Sequence, residues 1–171
     1  MRPAAVVTVA DAGPLIALAR CRRLPLLTEV FAAIHLPRAV LEGAAADPER
    51  PGARDIAAFA ASHAHVHPNR NDALYADLRR YLDEGEAQAL CLARTLECGV
   101  LMDERRGRAA ARRLELPLSG VLGVLLAARR NGRLARIAPV LRCLQTNGYR
   151  IAPALIAAAL EAAGESGERI D

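Results

Sequence analysis

Two carboxylates, Asp103 and Glu104, close the short apolar run Val100-Leu101-Met102, and a block of arginines follows at once. An apolar run of this length reads as a buried strand of a parallel sheet. In such sheets ligands bind beyond the carboxyl ends of the strands. Asp11 has the same placement. It ends the β-branched apolar stretch Ala4–Ala10 and precedes Ala12-Gly13-Pro14, where proline suits the first turn of a helix. One acid at a strand-to-helix junction is most simply an N-cap; two acids at two strand ends are a stronger sign of chemistry. Brought to one sheet edge, they repel each other unless a cation sits between them. Hard divalent cations such as Mg²⁺ and Mn²⁺ prefer oxygen ligands, combining carboxylates with waters and substrate phosphates. A site of that kind polarises a phosphodiester and activates a water for in-line attack.

Other residues compete for the same role. Glu86 falls in the first turn of a helix running from Asp83 to about Glu97, at the edge of the buried stripe Ala89, Leu92, Ala93 and Leu96. It is either a plain first-turn acid favoured by the helix dipole or a group facing the mouth of the sheet. Glu42 falls in the last turn of a short helix, Arg38–Glu42, begun by Pro37 and closed by Gly43; the dipole disfavours a negative charge there, and solvation is the simpler explanation for it. His63, His65 and His67 alternate, so on a strand they would share one face and could bind a metal. No carboxylate or cysteine stands nearby to complete a set, and an exposed edge strand is the preferred reading. The arginines Arg105, Arg106, Arg108, Arg112 and Arg113, and later Arg129, Arg130, Arg133 and Arg136, suit a phosphate backbone. They equally suit a solvated basic face in an arginine-biased chain.

The elements that must position these groups are strands alternating with helices. Strands are expected at Ala4–Ala10, Ala33–Leu36, Val100–Met102 and Leu116–Leu118. Helices are expected after Ala12-Gly13, with Pro14 in the first turn, through Arg20, and over Leu24–Phe31, Ala53–Ser62, Asn71–Leu82, Arg105–Leu114, Gly120–Arg130, Leu134–Leu144 and Ala152–Ala163, with Gly99 capping the helix that carries Glu86. This alternation points to an α/β fold, a three-layer α/β/α arrangement with a mostly parallel central sheet. A single domain over residues 1–164 is expected, with a flexible C-terminal tail at 165–171.

Composition narrows the function. The chain has 171 residues and a net charge of +4, and all 23 of its basic residues are arginine, which excludes a Schiff-base lysine or a lysine-dependent phosphate loop. Aromatics are 3% and Trp is absent, so the core is aliphatic and there is no stacking platform of the RRM or OB kind. Four cysteines, Cys21, Cys91, Cys98 and Cys143, show no CxxC spacing and read as buried free thiols in a reducing cytoplasm. No signal peptide and no membrane span is expected.

Five blocks in order, DAGPLIALAR (Asp11–Arg20), LPRAV (Leu36–Val40), LDEGEAQALCLA (Leu82–Ala93), LMDERRGRAAA (Leu101–Ala111) and SGVLGVLLAARRNG (Ser119–Gly132), make the chain resemble the PIN-domain superfamily, in particular its VapC-like branch long catalogued as a domain of unknown function. The resemblance covers almost the whole chain. It implies a metal-dependent endoribonuclease with a PIN-like parallel sheet and an acidic pocket, the toxin of a toxin–antitoxin pair acting on RNA. Asp11, Glu86 and Asp103 match the family's acids and would bind Mg²⁺ or Mn²⁺, with Glu104 auxiliary and Arg105, Arg106 and Arg108 on the nucleic acid. It further implies an antitoxin protein as partner and a homodimer, in which the apolar C-terminal helices with Leu155, Ile156 and Leu160 would take part if they are not core. The family usually carries another acid six residues after the proline of the LPRAV block. That position is Gly43, with Glu42 one residue earlier, about 100° away around a helix. Glu42 would reach the pocket if the turn unwinds at Gly43, or Asp47 would substitute. Without either, the chain reads as a catalytically impaired nucleic-acid-binding or assembly module. A phospho-accepting receiver would need a lysine, and a haloacid-dehalogenase-type phosphatase would need an acid at position 13, where Gly13 stands.

Overall fold

Val100, Leu101 and Met102 are fully buried, and so are Val9 and Ala10. Only a sheet covered on both faces buries consecutive strand residues in this way. The computed structural model describes residues 6–170. The strands are β1 (Val7–Ala10), β2 (Ala33–Pro37), β3 (Ala64–His67), β4 (Gly99–Leu101) and β5 (Leu118–Ser119). They form one sheet in the order β3-β2-β1-β4-β5, and every pairing among the described residues is parallel. Ala4 and Ala5 of the expected first strand lie outside the described residues.

The chain fills the sheet outward from β1 to β3, crosses back, and continues from β4 to β5. The strand order therefore reverses between β1 and β4. At such a switch point the connecting helices leave toward opposite faces and a crevice opens beyond the strand ends. The first half supplies α1 (Ala12–Arg20), α2 (Leu26–Val30), α3 (Arg38–Ala45) and α4 (Ala53–His63), with α1, α3 and α4 packed on one another. The crossing supplies α5 (Ala73–Leu78) and α6 (Glu84–Leu96), and α6 packs on β1, β2 and β4. Then come α7 (Arg105–Arg113), α8 (Val121–Arg130), α9 (Ala138–Thr146) and α10 (Pro153–Ala162). Among the described residues no helix is long and apolar enough to cross a membrane.

Several boundaries differ from the sequence reading. The helix after Pro37 does not close at Gly43 but runs on to Ala45, because its buried side, Val40 and Ala44, packs across the glycine. The helix expected over Asn71–Leu82 is only α5, capped by Asp72, whose carboxylate accepts the Tyr75 amide at 3.0 Å. Gly99 does not cap α6. Glu97 does, in the left-handed conformation at φ 50°, and Gly99 opens β4. The last long pair of helices is shorter than expected, since α9 starts only at Ala138. Two acids after Gly164 make contacts with the connection into α9 and with α9 itself. Glu165 accepts the Ile137 and Ala138 amides at 2.8 and 3.0 Å, satisfying the start of α9, and Glu168 pairs with Arg136 and Arg142.

The histidines also divide differently. His63 ends α4, so only His65 and His67 stand on β3, which is an edge strand. They are joined by His35 of β2, whose Nδ1 lies 2.8 Å from His67 Nε2 and whose ring stacks on that of His65. Of the cysteines, Cys91 and Cys98 are buried while Cys21 and Cys143 are half-buried. Ile156 and Leu160 are core residues, and Leu155 is exposed.

Candidate active site

Beyond β1 and β4, at the reversal of strand order, stand the acids that the chain places at strand ends. The ladder continues one residue past β1, where the Asp11 amide bonds the Leu101 carbonyl at 2.9 Å, so the Asp11 backbone is fixed against the end of β4. Asp11 sits at the N-cap position of α1, yet its side chain makes no capping bond. Only 5% of the residue is exposed. Burial pushes its carboxyl up to about 7, the Ala12 amide partly offsets this, and the charges of Asp83, Glu86 and Glu104 raise it further.

Glu86 is positioned by a capping box at the start of α6. Asp83 Oδ1 accepts the Glu86 amide at 2.8 Å, and Glu86 Oε2 accepts the Asp83 amide at 3.1 Å. One of the Glu86 oxygens thus caps the helix. The other, Oε1, lies against α7 at Gly107, 3.3 Å from where a Cβ there would stand. Burial raises the Glu86 carboxyl above the usual range, the Asp83 amide opposes this, and Asp83 and Glu104 add to the rise. Gly85 brings the backbone of α6 close to the acids: Oδ1 of Asp83 and Oδ1 of Asp11 lie 3.5 and 3.7 Å from the position of a Cβ there.

The strand-end pair separates. Glu104 is the N-cap of α7 without a capping bond, and its charge reaches both Asp11 and Glu86. Asp103 turns toward α8, where its Oδ2 accepts the Val121 amide at 3.1 Å. Its Oδ1 packs on Gly120 so closely that a Cβ there would stand 2.3 Å away. Glu42 remains exposed on α3, and the residue of that helix facing Gly85 is Val40. Asp47 is engaged in its own loop, accepting the Glu49 amide and pairing with Arg50 at 3.6 Å. Arg105 and Arg106 are exposed, and the charge of Arg106 partly stabilises the ionised Glu86. Arg108 is half-buried, with Nη1 donating to the Met102 carbonyl at 2.9 Å.

Two features were not among the expected site residues. Asp83, read only as the start of a helix, shares the field around Asp11. Tyr149, in the segment between α9 and α10, lies beside Asp103; burial, then Asp103 and Glu104, hold its phenol protonated. The available signal was the Asn147-Gly148 turn followed by the only aromatic residue after position 81.

Among the described residues no arginine or histidine forms an ion pair with Asp11, Asp83, Glu86, Asp103 or Glu104. Nor do any three His, Cys, Asp or Glu side chains there already surround a common point at metal-binding distance. A nest of acids without an internal cation is nonetheless chemically matched to a hard divalent ion.

A family model described as DUF3368: PIN domain matches residues 7–165. This chain belongs to the PIN-domain family. PIN domains are generally nucleases that act on nucleic acid and typically bind divalent metals. No curated protein matches the chain. Among solved structures, this PIN domain is similar to a PilT N-terminus domain protein from the hyperthermophilic archaeon Sulfolobus solfataricus P2, with 11% identity and a TM-score of 0.49 over 72% of this chain and 93% of that one.

Proposed function

We propose that this PIN domain is a metal-dependent endoribonuclease. The observation that carries the proposal is Asp11, buried at the switch point in the field of Asp83, Glu86 and Glu104 with no cation paired to it. Asp11, Glu86 and Glu104 would hold Mg²⁺ or Mn²⁺, with Asp103 or Asp83 reached directly or through water. Such an ion, when bound, polarises the scissile phosphodiester and lowers the pKa of water. The chain supplies the rest. The capping box fixes the rotamer of Glu86, and Val121 fixes Asp103. Arg105 and Arg106, exposed on the first turn of α7, meet the phosphates on either side of the reacting one. An ionised Asp11 is needed for binding the ion, so activity rises with pH through the neutral range.

In this reading the protein is the toxin of a toxin–antitoxin pair, and the acidic nest is the feature into which a small antitoxin would place an arginine. A second reading, a PIN-fold binding module without catalysis, is favoured by one observation: Glu42 stays exposed and Gly43 leaves its position open. Cleavage of a labelled RNA in Mn²⁺ decides between them. The expected result is cleavage by the unmodified protein that falls at least a hundredfold in both Asp11→Ala and Glu86→Ala. Absence of cleavage in protein that still binds RNA supports the binding module instead.

A further inference from the structure

On the Asp103 side of the acidic nest a cleft of about 460 Å³ runs between the β5–α8 turn and the segment from Tyr149 to Leu155. Its polar lining is Asp103, Arg108, Ser119, Tyr149 and Arg150. Of the acids proposed to hold or reach the ion, only Asp103 lines it. Arg108 is anchored through the Met102 carbonyl, and neither Arg108 nor Arg150 has a carboxylate partner among the described residues. By contrast, Arg129, Arg133, Arg136 and Arg142, on α8, α9 and their connection, are each paired with a glutamate. The lining also has apolar side chains from both sides of the cleft, Leu122 from α8 and Ile151 and Leu155 from the 149–155 segment. Leu155 is 56% exposed, although the next residue, Ile156, is core. Guanidinium groups without a carboxylate partner, apolar side chains and one acid of the site, Asp103, in the same lining match the parts of a nucleotide: phosphate, base and scissile linkage.

We infer that this cleft seats one unpaired nucleotide of the substrate strand beside the scissile phosphate, Arg108 and Arg150 holding its phosphate and Leu122, Ile151 and Leu155 its base. The inference rests on the ribonuclease reading above. A base enters such a cleft only when it is neither paired nor stacked, so a duplex is excluded from it. The segment between α9 and α10 is then a specificity element and not a mere connection.

The test is fluorescence-anisotropy binding, in EDTA, of a labelled single-stranded octaribonucleotide and of the same strand in a duplex. It compares the unmodified protein with Arg150→Ala, Leu155→Asp and, as a control for lost charge, Arg94→Ala at the distant end of α6. Cleavage by the unmodified protein in Mn²⁺ is measured alongside. Both cleft side chains are exposed, so melting curves are expected to stay unchanged and report a folded protein. The expected result is about tenfold weaker binding of the single strand in Arg150→Ala and in Leu155→Asp, and a change within twofold in Arg94→Ala. The duplex is expected to bind the unmodified protein about tenfold more weakly and to be indifferent to Leu155→Asp. If the protein cleaves RNA while both cleft variants bind the single strand as tightly as the unmodified protein, the cleft is not the seat and the ribonuclease reading stands. If the unmodified protein neither binds nor cleaves RNA, the ribonuclease reading falls and the cleft with it.

Discussion

Asp11 carries the largest electrostatic cost in the acidic nest. Its carboxyl sits at about 7 in the fold and at 3.8 in the unfolded chain, so between those values the folded state holds a proton that the unfolded state has released. Stability of the metal-free protein therefore falls as pH rises from about 4 through 7, and the full cost is present above that. Asp11→Asn keeps the shape of the protonated acid and removes the titration. The variant is expected to be more stable than the unmodified protein at pH 8, by roughly 2–4 kcal/mol, and nearly equal to it at pH 4; urea melts at the two pH values check this. Much at this scale was legible in the sequence. Asp11, Glu86 and the Asp103-Glu104 pair were marked by their places at strand ends and at a helix start. The orientation within the pair was not, because it depends on Val121 offering an amide to Asp103 and on Gly120 leaving room for it. Those contacts join residues far apart in the chain and have no local spacing.

The helices do the positioning, and their ends decide how well. Helix α6 presents Glu86 through its capping box and stops at Glu97, which adopts φ 50°. A left-handed conformation is unfavourable for a residue with a Cβ, and a carboxylate at a helix C-terminus opposes the dipole. Glu97→Gly is expected to stabilise the protein by about 1 kcal/mol, with RNA cleavage unchanged because Glu97 lies at the end of α6 remote from Glu86; thermal melts and a cleavage assay read the two parts. Glycine is the usual residue at such a stop, so the sequence points to Gly99, and the fold uses that glycine elsewhere. A Cβ at Gly99 would stand 3.2 Å from the Pro117 carbonyl, at the pairing of β4 with the strand beside it. Likewise Gly43 read as a helix stop, but Val40 and Ala44 both bury against the core and draw the helix through it. Glycines within the chain mark close approaches as often as ends, and only the packed neighbours tell the two apart.

At the scale of the whole molecule, the parallel sheet was foreseeable from fully apolar strands alternating with helices, and the strand order β3-β2-β1-β4-β5 was not. That order puts β1 beside β4 and so brings residues 11 and 104 to one crevice. The fold thereby stores like charge at one point, and a divalent ion bound there couples to its stability. Because binding needs ionised carboxylates, Mn²⁺ is expected to raise the melting temperature by several degrees at pH 8 and by much less at pH 5.5; differential scanning fluorimetry at the two pH values measures it. An equal shift at both would mean binding elsewhere. The central claim, a divalent-metal site in the acidic nest, is tested most directly by an anomalous difference map from crystals soaked in Mn²⁺ near pH 8. The expected result is a peak bounded by the carboxylates of Asp11, Glu86 and Glu104. A map without a peak there at saturating Mn²⁺, or with its only peak at the His35–His67 pair, would contradict it.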